Sequence, residues 1–127
     1  AVMDSIPEQK AGVGSATNDA SREIGGALGI AIGGSVLNQI YQSAVTVPSS
    51  LSDSEEIITS SFPAAIRLGG ELLAQGNPVG GELINSAQLA FIEGMVGSCY
   101  VAGAVALIAA IIVKFKMPND KGLTEEE

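Results

Sequence analysis

Along the 127 residues the apolar positions gather into two uncharged runs, and the charged ones gather at both ends and between the runs. The first run, Ile24 to Tyr41 (IGGALGIAIGGSVLNQIY), is 18 residues long, and the second, Gly94 to Val113 (GMVGSCYVAGAVALIAAIIV), is 20 residues long. A bilayer core of about 30 Å asks for roughly 17–25 residues of helix, so both runs predict transmembrane helices. Lys114 and Lys116 follow the second run at once, where their stems can lie along apolar surface while the ammonium heads reach water. The competing reading of this run is a buried core helix, which leaves its length and its basic flank without a reason.

Helix limits come from turn and cap residues. Ser5-Ile6-Pro7-Glu8 has the form of a capping box with Pro in the first turn, so the first helix is expected from Ser5 to about Tyr41. At 1.5 Å per residue that is roughly 55 Å, longer than a bilayer core is thick. The middle is punctuated by Thr46-Val47-Pro48-Ser49-Ser50, Phe62-Pro63 and Gly76-Asn77-Pro78. Ser52-Asp53-Ser54-Glu55-Glu56 reads as a helix start, with acids at the positive end of the dipole. Ala64 to Gln75 reads as a short helix with Ile66, Leu72 and Leu73 apolar, and the second long helix is expected to begin near Asn77-Pro78. Such short apolar stretches bury little by themselves, so the middle is expected to be a loop with two short helices rather than a separate domain.

Composition agrees with a membrane class. Charged residues make up 16% of the chain, against about 25% in soluble domains. The net charge of −8 excludes the basic stripe of a nucleic-acid binder, and no nucleic-acid partner is expected. Orientation follows Lys and Arg. Lys10 and Arg22 precede the first run, Lys114, Lys116 and Lys121 follow the second, and only Arg67 lies between. Both ends are therefore expected in the cytoplasm and the acidic middle outside. The opening Ala1-Val2-Met3-Asp4 has no signal-peptide pattern and reads as the interior of a longer chain, whereas Pro118-Asn119-Asp120 and Thr124 to Glu127 read as a helix stop and a polar tail.

Candidate chemistry is sparse. There is no His, and the single Cys99 excludes an intrachain disulfide and a cysteine-rich metal site. No phosphate loop, HExxH or Gly-x-Ser-x-Gly string occurs, so no catalytic residue, metal or cofactor is expected. Gly25, Gly29 and Gly33 recur every four residues on one face, where a second helix can come close. Asn18 and Arg22 share that face toward the cytoplasmic end, and Arg22 reads as an interfacial residue that snorkels or pairs with Asp19 or Glu23, with a direct transport role as the competing reading. Gly94, Ser98, Ala102, Ala106 and Ala110 form a matching ladder in the second run. Glu93, just outside that run on the loop side, is a candidate for an outer vestibule, with plain solvation as the competing reading.

Residues Ser5 to Ala16 (SIPEQKAGVGSA), then Asn18, Arg22 and Gly25-Gly26-Ala27-Leu28-Gly29-Ile30-Ala31, form a string. It resembles the start of helix thirteen in fourteen-helix drug:proton antiporters of the major facilitator superfamily (the EmrB/QacA type). The likeness covers about the first forty residues; the remainder fits that family in layout only. The resemblance implies the last two transmembrane helices of a proton-driven multidrug exporter in the cytoplasmic membrane of a bacterium. Its partners would be the remaining helices of the same transporter, the lipid bilayer, protons, and a small hydrophobic or cationic substrate. The family's substrate and proton positions lie largely in earlier helices, so only Asn18, Arg22, Gly25 and Gly29 carry over, as packing and gating candidates. The expected fold class is thus an all-α membrane hairpin. It divides into a cytoplasmic lead-in over 1–23, spans over 24–41 and 94–113, an extracytoplasmic loop over 42–93 and a cytoplasmic tail over 114–127. Two other classes compete: a small two-span interaction protein without transport activity, and a soluble helical module.

Overall fold

A computed structural model describes residues 11–116. The expected cap at Ser5 and the stop at Pro118 lie outside these residues. Within them the chain is helical, in the order α1 (Ala11–Ala44), a 3-10 helix (Ser49–Ser54), α2 (Glu55–Ser60), α3 (Phe62–Ala74) and α4 (Val79–Lys116). No strand occurs among the described residues. Both α1 and α4 are long and apolar enough to cross a membrane, and a shorter helical segment joins them. α1 runs three residues past the expected end at Tyr41.

The joints use the predicted breakers. Ser61 is extended, its hydroxyl accepts from the Ala64 N–H at 3.4 Å, and Pro63 sits in the first turn of α3, where a missing N–H costs nothing. The Phe62-Pro63 break therefore falls just before these residues, and they begin α3. At its other end Gly76 takes φ +77, a left-handed conformation that a side chain disfavours. The Asn77 N–H then donates to Leu72 O at 2.9 Å and the Gly76 N–H to Leu73 O at 2.9 Å, the double closure of a Schellman end. Asn77 turns the chain at once into α4, its Oδ1 accepting from the Val79 N–H at 3.1 Å.

Contrary to the expectation that the middle buries little, the turn end of the hairpin holds a core. Tyr41, Val45, Ile58, Ala65, Leu83, Ala87 and Ala90 are buried there. Phe62 stacks on Phe91 with ring centroids 4.3 Å apart and meets the Tyr41 ring edge-on at 6.2 Å. The Tyr41 hydroxyl donates to Ile58 O at 2.9 Å, satisfying a polar tip inside an apolar cluster. On α3 the buried positions are Ala65 and Gly69, while Leu73, expected on the apolar face, is exposed. This core draws on all four helices, so it caps the ends of α1 and α4 rather than hanging between them.

Close backbone approach explains the glycines of this cap. A Cβ on Gly80 would overlap Gly69 O and stand 2.9 Å from Leu73 N, so α3 and α4 meet backbone to backbone. A Cβ on Gly94 would stand 2.8 Å from Leu37 O, fixing α4 against α1 in the same way. Gly34 faces open space.

Gly80→Ala should therefore destabilise by about 1–3 kcal/mol, the usual penalty of overpacking. Gly34→Ala should be neutral or stabilising, because Ala exceeds Gly in helix propensity by about 1 kcal/mol. Unfolding of the purified protein in detergent measures both, and equal midpoints would refute the backbone contact. Tyr41→Phe should cost about 1–3 kcal/mol in the same assay, because it leaves Ile58 O buried without its donor.

Candidate functional site

The antiparallel pair α1/α4 is tied at several levels. Nearest the cap, Ser86 Oγ accepts from the Thr46 N–H at 2.8 Å and donates to Thr46 O at 3.0 Å, closing the frayed end of α1 with one hydroxyl. Next come Gly94 against Leu37 and Gly97 against the Ile40 side chain. Last is a single interhelical hydrogen bond, Ser98 Oγ donating to Gly33 O at 2.8 Å. In lipid such a bond and close small-residue packing replace the hydrophobic drive that pairs helices in water.

Beyond that bond the helices part. An apolar groove of about 260 Å³ opens between Gly29, Ile32 and Gly33 on one wall and Ser98, Val101, Ala102, Val105, Ala106 and Ala109 on the other. The small-residue ladder of α4 thus turns toward α1: Gly94 and Ser98 make contact, and Ala102 and Ala106 line the groove. Gly25 and Gly29 meet nothing within 4 Å, so within this chain the glycine face of α1 is a wall of open space past Gly33. Asn18 and Arg22 lie further along the same face and are exposed. Glu93 is exposed beside the buried Gly94 and is separate from the groove.

Among the described residues the outer surfaces of α1 and α4 are apolar and exposed. Ile30 is 80% exposed, Tyr100 77% and Leu107 67%. A continuous exposed apolar surface of this kind marks a membrane or protein contact. Polar groups on the long helices are satisfied locally: Thr17, Ser21 and Ser35 each donate to the carbonyl four residues earlier at 2.8–2.9 Å. Cys99 is exposed on α4, beside Met95 and Tyr100 on an apolar patch away from α1.

Against known proteins, the chain is 28% identical over 113 residues to a multidrug efflux pump, LfrA, of Mycolicibacterium smegmatis. That stretch is 88% of this chain and 22% of the pump, so the chain spans about a fifth of that relative's length. No family model matches the chain. No solved structure matches it.

Sequence reasoning placed Gly29 on a packing face; the geometry makes it a groove wall. Gly29→Leu should fill the groove and close it to a further helix, lowering the yield of folded protein several-fold, whereas Gly34→Leu should not. Fluorescence-detected gel filtration of both variants reads this out, and equal profiles would remove any special role for the groove face.

Proposed function

We propose that this chain is the final helix pair of a small-molecule efflux transporter of the major facilitator superfamily, of the drug:proton antiporter branch. The observation that carries the reading is the likeness to a multidrug efflux pump along 88% of the chain. Two long apolar helices with outward-facing apolar side chains support a membrane setting. The string around Asn18, Arg22 and Gly25 to Ala31 supports the branch. Proton-coupled exchange of hydrophobic or cationic compounds is the activity proposed for the complete protein. Catalysis of a covalent reaction is not part of the proposal.

The pair contributes to a bundle and does not itself enclose a pathway. An alternating-access site lies between two halves near the bilayer midplane, and two helices cannot surround one. The small-residue groove between α1 and α4 is accordingly read as a packing surface for the rest of the bundle. The basic ends favour cytoplasmic termini, and the cap then faces outward, in the cytoplasmic membrane of a bacterium.

Orientation is tested in the complete protein carrying Cys99→Ser. A cysteine at Ser50 should react with an impermeant thiol reagent in intact cells, and one at Asn119 only after the membrane is opened. The reverse pattern would overturn the orientation. Function is tested in vesicles: the complete protein should drive dye efflux that collapses with the pH gradient, and the 127-residue chain alone should drive none. Gradient-dependent efflux by the short chain would favour a small self-assembling transporter instead.

A further inference from the structure

The hold of α4 on α1 ends at one turn of α1, and that turn is weak. On the cap side of it α1 is fixed. Tyr41 and Val45 sit in the core, Ser86 binds both backbone groups of Thr46, and Gly94 and Gly97 lie against Leu37 and Ile40. On the other side, toward Ala11, the groove of about 260 Å³ separates α1 from α4. A Cβ on Gly25, Gly26 or Gly29 would meet nothing within 4 Å among the described residues. Between the held half and the free half lies Ala31 to Ser35 (AIGGS).

Three features weaken this turn. Gly33 and Gly34 are adjacent, and only proline holds a helix less well than glycine. The Ser35 hydroxyl donates to Ala31 O at 2.8 Å, a back-bond of the kind that bends helices. The Ser98 hydroxyl donates to Gly33 O at 2.8 Å, so a carbonyl that an α-helix uses for the N–H four residues on takes a second donor. Glycine and serine together, with a side chain reaching into the backbone ladder, are physical causes of a helix kink. With the Ser98 bond made, α1 is one continuous helix from Ala11 to Ala44.

We propose that α1 hinges at Gly33-Gly34 and that the Ser98 hydroxyl is the latch of the hinge. While the hydroxyl stays on Gly33 O, the free half of α1 lies along α4. When it lets go, that half swings away and widens the groove, and the cap keeps its place. Release leaves no orphan donor, because a helical serine can turn its hydroxyl back to the carbonyl four residues earlier, here Gly94 O. The latch therefore has two seats, one on each helix. Ala20 lies thirteen residues from Gly33, about 20 Å along the helix, so a bend of about 20° carries it through about 7 Å. The hinge is a property of the helix pair and does not rest on the transporter reading.

The test uses the complete protein in lipid vesicles, in a Cys99→Ser background. Nitroxide labels at Ala20 and Ile111 read the separation of the free halves by pulsed dipolar spectroscopy, and labels at Gln42 and Gln88 read the cap side. Ser98→Ala should enrich a population in which the first pair is about 7 Å farther apart, with the second pair unchanged. Gly33→Ala combined with Gly34→Ala fits the open space at both positions and should remove that population even when Ser98→Ala is present. A first-pair distribution that Ser98→Ala leaves unchanged would overturn the latch. A far population that survives the two alanines would overturn the hinge. An equal shift of the second pair would mean that the whole helices separate, and would overturn both.

Discussion

Two helices that are apolar on nearly every side have no strong reason to prefer each other over lipid, because hydrocarbon solvates Leu and Ile as well as another helix does. What pairs α1 with α4 is therefore concentrated where the hydrophobic effect still operates, at the turn end. There Tyr41, Ile58 and Leu83 are fully buried and three aromatic rings interlock. The cap is small, yet it fixes the register of everything below it. Gly94 on Leu37 and Ser98 on Gly33 continue that register along the helices, and past them an apolar groove opens between α1 and α4.

The same constraint explains the distribution of small residues. Glycine in a helix weakens it, and a membrane helix accepts that where a neighbour's backbone must come close. Gly69, Gly80 and Gly94 each meet backbone in this chain. Gly25, Gly26 and Gly29 do not, although they sit in an equally regular pattern. Among the described residues no backbone comes that close to them.

Much of the fold was legible in the sequence. The Phe62-Pro63 break and Asn77-Pro78 mark helix limits through residues whose physics is local, and the two uncharged runs fall inside the two long helices. The cap core was not legible, and the reason is specific. Ala65, Ala87 and Ala90, which carry little weight in any hydrophobic pattern, are three of its seven buried residues, and Phe62 and Phe91, which pack against it, are distant in sequence. Which of the glycines would be in contact was also hidden, since Gly25, Gly29 and Gly33 share one spacing and only the last touches α4. The candidate residues Asn18, Arg22 and Glu93 were found by type and position, but their relative depth needed the register.

Register also alters what an interfacial charge means. Read along α1 alone, Arg22 precedes an apolar run and looks like an anchor at the membrane surface. Counted along both helices from the Ser98–Gly33 tie, it falls level with Ala109, five residues short of Lys114. An arginine stem can reach several ångströms toward water, and that lessens the penalty for one cation. Asp19 and Glu23 have shorter stems and no comparable reach. At hydrocarbon depth a carboxylate requires polar surroundings, and neither wall of the apolar groove supplies them.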